Sequence, residues 1–209
     1  SITRTILNAS KDWKIWLTPM SQESKRPRIF ITGHTRGIGK SIFERFKAKG
    51  FYCHGVSKSN GMDIDKDCDL IVEQMANFQY IVLNAYDKDS QLKMLKKLIN
   101  LYQDDNKKIA VITSTSGTVA GMDSSFKEQD YNWYCKNKKE LIEFIEKVQQ
   151  DLYDKPMQIY DICPDTVKTD MSDGLWEEFP KLHVDEVAEC VEMVLTKPYN
   201  INKIVLQKY

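Results

Sequence analysis

Short apolar runs alternate with longer amphipathic stretches over most of this sequence. The apolar runs predict β-strands at 28–32, 51–56, 80–84, 108–113, 157–162 and 203–206. The stretches between them predict helices at about 37–49, 66–77, 89–103, 134–152 and 185–196, and all six prolines fall outside these predicted elements. Strands that alternate with helices of this length favour parallel βαβ units. The pattern therefore predicts a single α/β domain of three layers, built on a doubly wound parallel sheet.

Two long irregular stretches, 114–133 and 163–184, each follow a predicted strand. In an open parallel sheet, ligands bind at the carboxyl ends of the strands, so we expect these stretches to be functional loops. Residues 1–27 differ from the rest, because five basic residues there outnumber two acidic ones. We interpret them as an arm, appended to a domain of residues 28–209, that packs Trp13 and Trp16 on the domain surface. An arm that binds a partner or directs targeting is the alternative.

Composition and charge narrow the range of functions. The chain has 209 residues, of which 42% are hydrophobic and 29% charged, as in an ordinary globular protein. Its 30 basic residues balance 30 acidic ones, so no overall field favours nucleic acid as a partner. No apolar run is long enough to span a membrane, and the first residues lack the pattern of a secretory signal. We therefore predict neither a nucleic-acid partner nor a membrane partner.

The cysteines and histidines predict no disulfide framework and no metal site. The five cysteines are odd in number and form no CxxC pair. The three histidines show no metal-ligand spacing. Free thiols are typical of a reducing compartment, which predicts a cytoplasmic protein.

The first candidate binding motif is the turn TGHTRGIG at residues 32–39, which follows the first predicted strand and opens the first predicted helix. Glycines in such a turn let the backbone approach a pyrophosphate, and the first N–H groups of the helix attract its charge. The motif predicts that Gly33, Gly37, Ile38 and Gly39 bind a dinucleotide. For the motif taken alone, a tight turn without a ligand is the alternative.

Five later segments follow this turn in order, namely SKS at 57–59, NAY at 84–86, ITSTSG at 112–117, YCKNK at 134–138 and CPDTVKTDM at 163–171. Together with the TGxxxGxG spacing, they resemble the motifs of the short-chain dehydrogenase/reductase family. The resemblance covers nearly all of residues 28–209. It implies a Rossmann-type domain that binds a nicotinamide dinucleotide.

The resemblance implies NADP(H) as the cofactor. An acidic residue after the second strand favours NAD, because a carboxylate accepts the ribose 2′-hydroxyl and repels a 2′-phosphate. This chain instead has Ser57, Lys58 and Ser59 there, and Arg36 of the glycine turn matches a position that faces the same region in NADP-using members. Two cations and nearby hydroxyl groups match a phosphate of about two negative charges.

Other cofactor contacts are implied by the middle of the chain. Asp63 and Ile64 resemble an acidic-aliphatic pair that borders the adenine ring. Asn84 and Ala85 match the first two residues of the family's Asn-Ala-Gly, and Tyr86 replaces the glycine. We expect Tyr86 to narrow the space beside the ribose.

The segment after the fifth predicted strand resembles the family's Pro-Gly-x-Val-x-Thr. Pro164 matches the proline, and Asp165 replaces the glycine. The resemblance implies that Val167 and Thr169 contact the nicotinamide carboxamide.

The resemblance assigns catalysis to Ser114, Tyr134 and Lys138, with Ser116 as the alternative serine. Tyr134 and Lys138 are four residues apart, so their side chains share one face of a helix. A tyrosine has an ordinary pKa near 10, and a nearby ammonium favours its phenolate. The tyrosine can then exchange a proton with a carbonyl oxygen while hydride moves at carbon. Tyr131 is the rival tyrosine, but a cysteine, not a lysine, follows it by four residues.

The segment between Asn84 and Ser114 has room for one helix and is shorter than in the family. The family's active-site asparagine would fall near Asp87, where this sequence has no asparagine. We therefore expect the proton relay through that residue to be altered or absent. In the family this helix also builds a subunit interface, and the resemblance implies a homodimer or homotetramer.

The sequence as a whole predicts an NADP(H)-dependent oxidoreductase that transfers hydride between the nicotinamide and a carbonyl or alcohol of a small molecule. A non-catalytic NADP-binding redox sensor, or a partner-binding protein on the same fold, is the alternative. Trp176 and Phe179 are candidate apolar walls of the substrate site.

Overall fold

A computed structural model describes residues 26–118, 129–174 and 177–208 of the chain. Within these ranges lie six β-strands: β1 (Arg28–Thr32), β2 (Tyr52–Val56), β3 (Tyr80–Leu83), β4 (Lys108–Ile112), β5 (Gln158–Pro164) and β6 (Lys203–Leu206). The same ranges contain five α-helices: α1 (Gly37–Ala48), α2 (Cys68–Gln74), α3 (Ser90–Tyr102), α4 (Gln129–Asp151) and α5 (Val184–Thr196). All six predicted strands and all five predicted helices are confirmed. Most of the predicted arm, residues 1–25, lies outside the described ranges.

The strands form one sheet in the order β2-β1-β3-β4-β5-β6, and every neighbouring pair is parallel. The chain moves outward from β1 to β2, and then crosses back to β3 and continues to β6. The direction of winding therefore changes between β1 and β3, and loops that diverge at such a point leave a crevice at the carboxyl edge of the sheet. The glycine turn follows β1 and Asn84 follows β3, so both lie at this crevice.

Helices cover both faces of the sheet because successive side chains of each strand point to opposite faces. Phe30 of β1 packs with apolar residues of α2, α3 and α4 on one face. Its neighbours Ile29 and Ile31 pack with α1 and α5 on the other face. All three are fully buried. This arrangement confirms the three-layer, doubly wound α/β fold.

Every boundary of a strand or α-helix except the start of α4 lies within three residues of its prediction. Helix α4 begins at Gln129, so the end of the stretch 114–133 is helical. In this added turn, Tyr131 is half-buried and donates a hydrogen bond to Ser116, which follows β4. Strand β5 runs to Pro164, which pairs with Leu206, so it ends two residues after its predicted end at 162. A proline is tolerated there because its nitrogen faces the β4 side of the strand, where the last β4 partner, Ile112, pairs with Ile162.

Three further features concern the whole described part of the chain. All five cysteines are free thiols, as the sequence predicts. Within the described ranges, no helix is long and apolar enough to cross a membrane. The same ranges hold no group of three or more His, Cys, Asp and Glu side chains that could bind a metal ion.

Candidate active site

A cleft of about 940 Å³ lies at the carboxyl edge of the sheet, and residues that follow β1 to β5 line it. Its volume falls in the range of about 300–1,000 Å³ that is typical of ligand pockets. The walls include most residues assigned from the sequence, namely Gly33, Arg36, Gly37, Ile38, Ser57, Lys58, Ser59, Ile64, Asn84, Ala85, Ser114, Tyr134, Lys138, Pro164, Val167 and Thr169. Gly39 and Asp63 do not line it. The fold therefore brings segments from five strand ends to one site.

The glycine turn forms the middle of the cleft wall and leads directly into α1. A Cβ atom on Gly39 would lie only 2.1 Å from the carbonyl oxygen of Gly33, so the start of the helix packs on the turn only because residue 39 is glycine. The N-cap residue Arg36 makes no side-chain capping bond, and the first turn of α1 holds no acidic residue. Its first N–H groups and the positive end of its dipole can therefore attract an anion. Gly39 does not line the cleft, but it allows the helix start to pack closely on the turn.

Asn84 joins the end of β3 to the glycine turn. Its Nδ2 donates hydrogen bonds to the carbonyl oxygens of Thr32 (3.2 Å) and Gly33 (3.3 Å). In return, the Oγ1 of Thr32 accepts from the backbone N–H groups of Asn84 (3.0 Å) and Ala85 (3.1 Å). These four bonds hold the turn against β3. The sequence identified Asn84 and missed Thr32, for which a threonine at the end of the predicted strand 28–32 was the available signal.

One end of the cleft carries three hydroxyl groups. The Oγ atoms of Ser57 and Ser59 lie 2.8 Å apart, and Ser59 donates to the Oγ1 of Thr35 at 3.2 Å. Arg36 is exposed beside them and makes no ion pair with the described residues. A cation next to a cluster of hydroxyl groups is suited to a phosphate.

Lys58 has closer partners than the sequence suggested. Its Nζ lies 2.6 Å from Asp87 Oδ2 and 3.5 Å from Asp63 Oδ2. The hydrogen bond to Asp87 is the main cause that raises the pKa of Lys58. Asp63 also accepts hydrogen bonds from the backbone N–H groups of Asp65 and Lys66, which hold it in a local turn. Two carboxylates therefore already balance the Lys58 charge.

Ser114 and Tyr134 meet at the opposite end of the cleft. Ser114 follows β4, and its Oγ accepts a hydrogen bond from the N–H of Ser116 at 3.2 Å. Burial raises the pKa of Tyr134 to about 12, although its hydrogen bond with the Ser114 side chain acts in the opposite direction. A nearby ammonium was expected to lower the pKa of Tyr134. In the protein without cofactor, burial outweighs that effect and the pKa is raised.

Lys138 lies one turn after Tyr134, with its side chain buried. Its Nζ donates hydrogen bonds to Gln91 Oε1 (2.7 Å) and to the carbonyl oxygen of Ile112 (2.9 Å). The same Nζ lies 5.6 Å from the centre of the Tyr134 ring. Burial lowers the pKa of Lys138 to about 7, and Asp161 is the main group that opposes this effect. The sequence motifs did not indicate Gln91, because the family's active-site residue in this segment is an asparagine.

Two more tyrosines surround Tyr134. The Tyr86 ring packs edge-on against it, with 4.8 Å between the ring centres, and the Tyr131 ring stacks at 6.3 Å. Asn137 donates a hydrogen bond to the Tyr86 hydroxyl at 3.2 Å, and Tyr131 donates one to Ser116 at 3.2 Å. Tyr131 therefore lines the cleft as well, but the lysine of the site lies one turn from Tyr134.

The segment after β5 closes the site. Asp165 accepts hydrogen bonds from the hydroxyl of Thr115 (3.1 Å) and from the N–H of Thr166 (2.8 Å). Thr169 lies beside Gly37 of the glycine turn, because a Cβ on Gly37 would be 3.4 Å from the Cγ2 of Thr169. Phe179 is exposed and lies outside the walls of the cleft, and Trp176 lies outside the described residues.

Comparison with known proteins identifies the fold. No protein-family model matches the sequence, and no curated protein matches it significantly. Among solved structures, a short-chain dehydrogenase from Burkholderia cenocepacia J2315 in complex with NADP matches with a TM-score of 0.70. The match covers 87% of this chain and 88% of that chain, at 14% sequence identity. This chain has the fold of the short-chain dehydrogenases.

Two further structures with the short-chain dehydrogenase fold give the same result. A short-chain dehydrogenase/reductase from Vibrio parahaemolyticus has a TM-score of 0.63 and 20% identity, over 85% of this chain and 98% of that one. The 3-alpha-hydroxysteroid dehydrogenase from Pseudomonas sp. B-0831, complexed with NADH, has a TM-score of 0.64 and 14% identity, over 86% and 92% of the two chains. The resemblance seen in the sequence motifs is thus confirmed at the level of the fold.

The cleft also suits the dinucleotide that the short-chain dehydrogenase fold implies. A helix start that attracts anions lies in its middle, with Arg36 and the hydroxyl cluster at one end. Ser114, Tyr134 and Lys138 lie at the other end. The residues present therefore fit a nicotinamide dinucleotide.

Proposed function

We propose that this protein is an NADP(H)-dependent oxidoreductase of the short-chain dehydrogenase/reductase type, acting on a carbonyl or alcohol of a small molecule. One observation carries the proposal: Ser114, Tyr134 and Lys138 line the same cleft as the glycine turn at the start of α1. Solved structures of the same fold support the class of cofactor, since several contain NADP or NADPH and one contains NADH.

The residues at the catalytic end have separate tasks in this proposal. When bound, the cofactor supplies or accepts a hydride at C4 of the nicotinamide. In carbonyl reduction, the Tyr134 hydroxyl donates its proton to the carbonyl oxygen, and the product is an alcohol. The Ser114 hydroxyl donates a hydrogen bond to the same oxygen, and the Lys138 ammonium stabilises the phenolate that remains.

The preference for NADP(H) depends mainly on Arg36. Lys58 is balanced by Asp87 and Asp63, whereas the exposed Arg36 has no carboxylate partner among the described residues. Ser57 and Ser59 add hydroxyl groups that can bond to phosphate oxygens. Arg36 thus provides the charge that distinguishes a 2′-phosphate from a 2′-hydroxyl.

NADPH consumption with a panel of ketones, aldehydes and quinones tests the proposal. We expect at least one carbonyl compound to oxidise NADPH in the presence of the unmodified protein. Tight NADPH binding without consumption on any compound would contradict it and favour a non-catalytic NADP-binding sensor or partner-binding protein. The packing of Tyr86 on Tyr134 is the observation that favours this second candidate, because the ring covers part of the catalytic tyrosine.

Location and assembly belong to the same proposal. We propose a cytoplasmic protein that forms a homodimer or homotetramer and has neither nucleic acid nor membrane as a partner. Light scattering coupled to size-exclusion chromatography measures the molar mass directly. A monomer at micromolar concentration would contradict the proposed assembly and leave the oxidoreductase function open.

A further inference from the structure

Gln91 binds the buried end of the Lys138 side chain through a complete set of hydrogen bonds. It lies in the first turn of α3 and is 4% exposed. Its Nε2 donates to the carbonyl oxygens of Leu83 (2.9 Å) and Ile112 (3.1 Å), at the ends of β3 and β4. Its Oε1 accepts from Lys138 Nζ at 2.7 Å. Both N–H groups and the oxygen of the amide are therefore bonded.

These partners define the orientation of the amide. In the reversed orientation, Nε2 would face the Lys138 ammonium, and Oε1 would face the two carbonyl oxygens. All three contacts would then join like groups, since an ammonium only donates and a carbonyl only accepts. The two strand ends thus fix the amide with its oxygen toward the lysine.

The Lys138 ammonium depends on such oxygens because no carboxylate of the described residues lies within ion-pair distance of it. Its Nζ donates to Gln91 Oε1 and to the carbonyl oxygen of Ile112, and Lys138 lines the same cleft as Tyr134. The rings of Tyr86 and Tyr134 have their centres 5.4 and 5.6 Å from Nζ.

The other titratable groups that face Lys138 lie on β5. Asp161 is buried, accepts a hydrogen bond from Thr113 at 2.5 Å, and lies 3.5 Å from Lys203 Nζ. Asp161 and Cys163 both favour the charged form of Lys138, although burial opposes it. Asp161 is shared with Lys203, whereas the oxygens of Gln91 and Ile112 are bonded directly to the ammonium.

We propose that Gln91 is a positioning residue, whose amide keeps the buried Lys138 ammonium charged and directed at Tyr134. The catalytic importance of this role rests on the function proposed above, whereas the effect on the charge of Lys138 does not. The sequence motifs gave no sign of it, because the interaction needs a glutamine on α3, two strand ends and a lysine on α4.

NMR titration of protein labelled with ¹³C at the lysine Cε tests the proposal without substrate or cofactor. Lys138→Met identifies the resonance by its disappearance. The main variant is Gln91→Met, which keeps the length of the side chain and removes the amide. The matched control is Gln149→Met, because Gln149 Nε2 also donates to two backbone carbonyl oxygens, those of Ile159 (2.8 Å) and Asn202 (2.7 Å), but Gln149 has no bond to Lys138.

We expect Gln91→Met to lower the titration midpoint of Lys138 by about one pH unit, a tenfold change in its protonation equilibrium. Gln149→Met should leave the midpoint unchanged. An unchanged midpoint in Gln91→Met, or an equal shift in both variants, would overturn the proposal. If Gln91→Met does not fold, Gln91→Glu replaces it, and its carboxylate should raise the midpoint; no rise would equally overturn the proposal.

The same variants separate this inference from the proposed function. A shifted midpoint in a protein that never consumes NADPH would support the role of Gln91 and contradict the oxidoreductase function. If the protein is active, alcohol oxidation should require a higher pH in Gln91→Met than in the unmodified protein, because a less charged Lys138 stabilises the Tyr134 phenolate less. A loss of rate without that pH shift would show that Gln91 contributes only to packing, and it would contradict the proposal.

Discussion

The ring of Tyr86 lies edge-on against the ring of Tyr134, with 4.8 Å between their centres and 74° between their planes. Tyr86 replaces the glycine of the family's Asn-Ala-Gly motif, and a glycine has no ring that could make this contact. The ring helps to bury Tyr134, and burial is the main cause that raises the pKa of Tyr134 to about 12.

Tyr86→Ala should lower the pKa of Tyr134 toward the ordinary value near 10, because water reaches the phenol once the ring is removed. NMR titration of tyrosines labelled with ¹³C at Cζ, assigned with Tyr134→Phe, measures the change. The control is Tyr86→Phe, which keeps the ring and should keep Tyr134 close to its original titration. Equal titration of Tyr134 in all three proteins would show that the Tyr86 ring does not cause the shift.

Arg36→Ala should reduce NADPH affinity by about tenfold or more and leave NADH affinity nearly unchanged, since a hydrogen bond to a charged group contributes about 1.5–3 kcal/mol. Lys58→Ala should have the smaller effect, because Asp87 and Asp63 already pair with that lysine. Calorimetric titration of both cofactors into the unmodified protein and each variant measures these affinities. Lys40→Ala serves as control, since it removes an exposed cation of α1 that pairs with Glu44. A larger loss in Lys58→Ala than in Arg36→Ala would reverse the assignment.

Gly39→Ala should weaken NADPH binding by at least about tenfold in a protein that still folds. The new Cβ would lie 2.1 Å from the Gly33 carbonyl oxygen, so the turn and the start of α1 must move apart. Gly50→Ala is the matched control at the other end of α1. Its Cβ meets nothing within 4 Å, although its φ of +83° costs about 1–2 kcal/mol of stability. Unchanged binding in Gly39→Ala would mean that the cofactor does not depend on this turn.

Lys138→Met should change how the free energy of unfolding depends on pH. The pKa of Lys138 is about 7 in the folded protein, and a lysine in an unfolded chain has a pKa near 10.4. Between these values the unfolded chain binds more protons, so this lysine makes stability rise with pH, by at most about 1.4 kcal/mol per pH unit. Below about pH 7 the buried Lys138 is charged in the folded protein, and it then lowers the free energy of unfolding by its full amount.

Denaturant unfolding at several pH values measures this contribution. The stability of Lys138→Met relative to the unmodified protein should fall between about pH 7 and pH 10. The matched control is Lys139→Met, which removes an exposed lysine from the next position of α4. A pH-independent difference for Lys138→Met would show that the lysine titrates alike in the folded and unfolded chains.

The sequence predicted the order of strands and helices because the four central strands β1, β3, β4 and β5 are buried apolar runs, while the edge strands β2 and β6 are short runs rich in apolar residues. It failed where a boundary depends on tertiary contacts. Helix α4 begins five residues before its predicted start. In this added turn Tyr131 contacts Ser116, which lies in the segment after β4. Pro164 remains in β5 because Leu206 of β6 pairs with it.

The candidate site was predictable where residues are fixed by local spacing. Tyr134 and Lys138 share a helix face, and the glycine turn lies between a strand and a helix. Both predictions therefore depend only on residues that are close together in the sequence. Pairs that bridge separate segments were missed, as Lys58 with Asp87 and Lys138 with Gln91 show. A single sequence gives no distance between such residues.

The catalytic assignment requires the Tyr134 hydroxyl, which Tyr134→Phe removes with little change in packing. Tyr131→Phe is the matched control, because Tyr131 lines the same cleft and donates a hydrogen bond to Ser116, but has no lysine one turn later. Both variants should still bind NADPH, which calorimetry checks before activity is compared.

Steady-state NADPH consumption, with the best carbonyl compound of the panel, compares these two variants with the unmodified protein. We predict that Tyr134→Phe lowers kcat by a factor on the order of 10² to 10⁴, the usual contribution of general acid–base catalysis, while Tyr131→Phe stays within about tenfold of the unmodified protein. Full activity in Tyr134→Phe would contradict the assignment of Tyr134 as the catalytic acid.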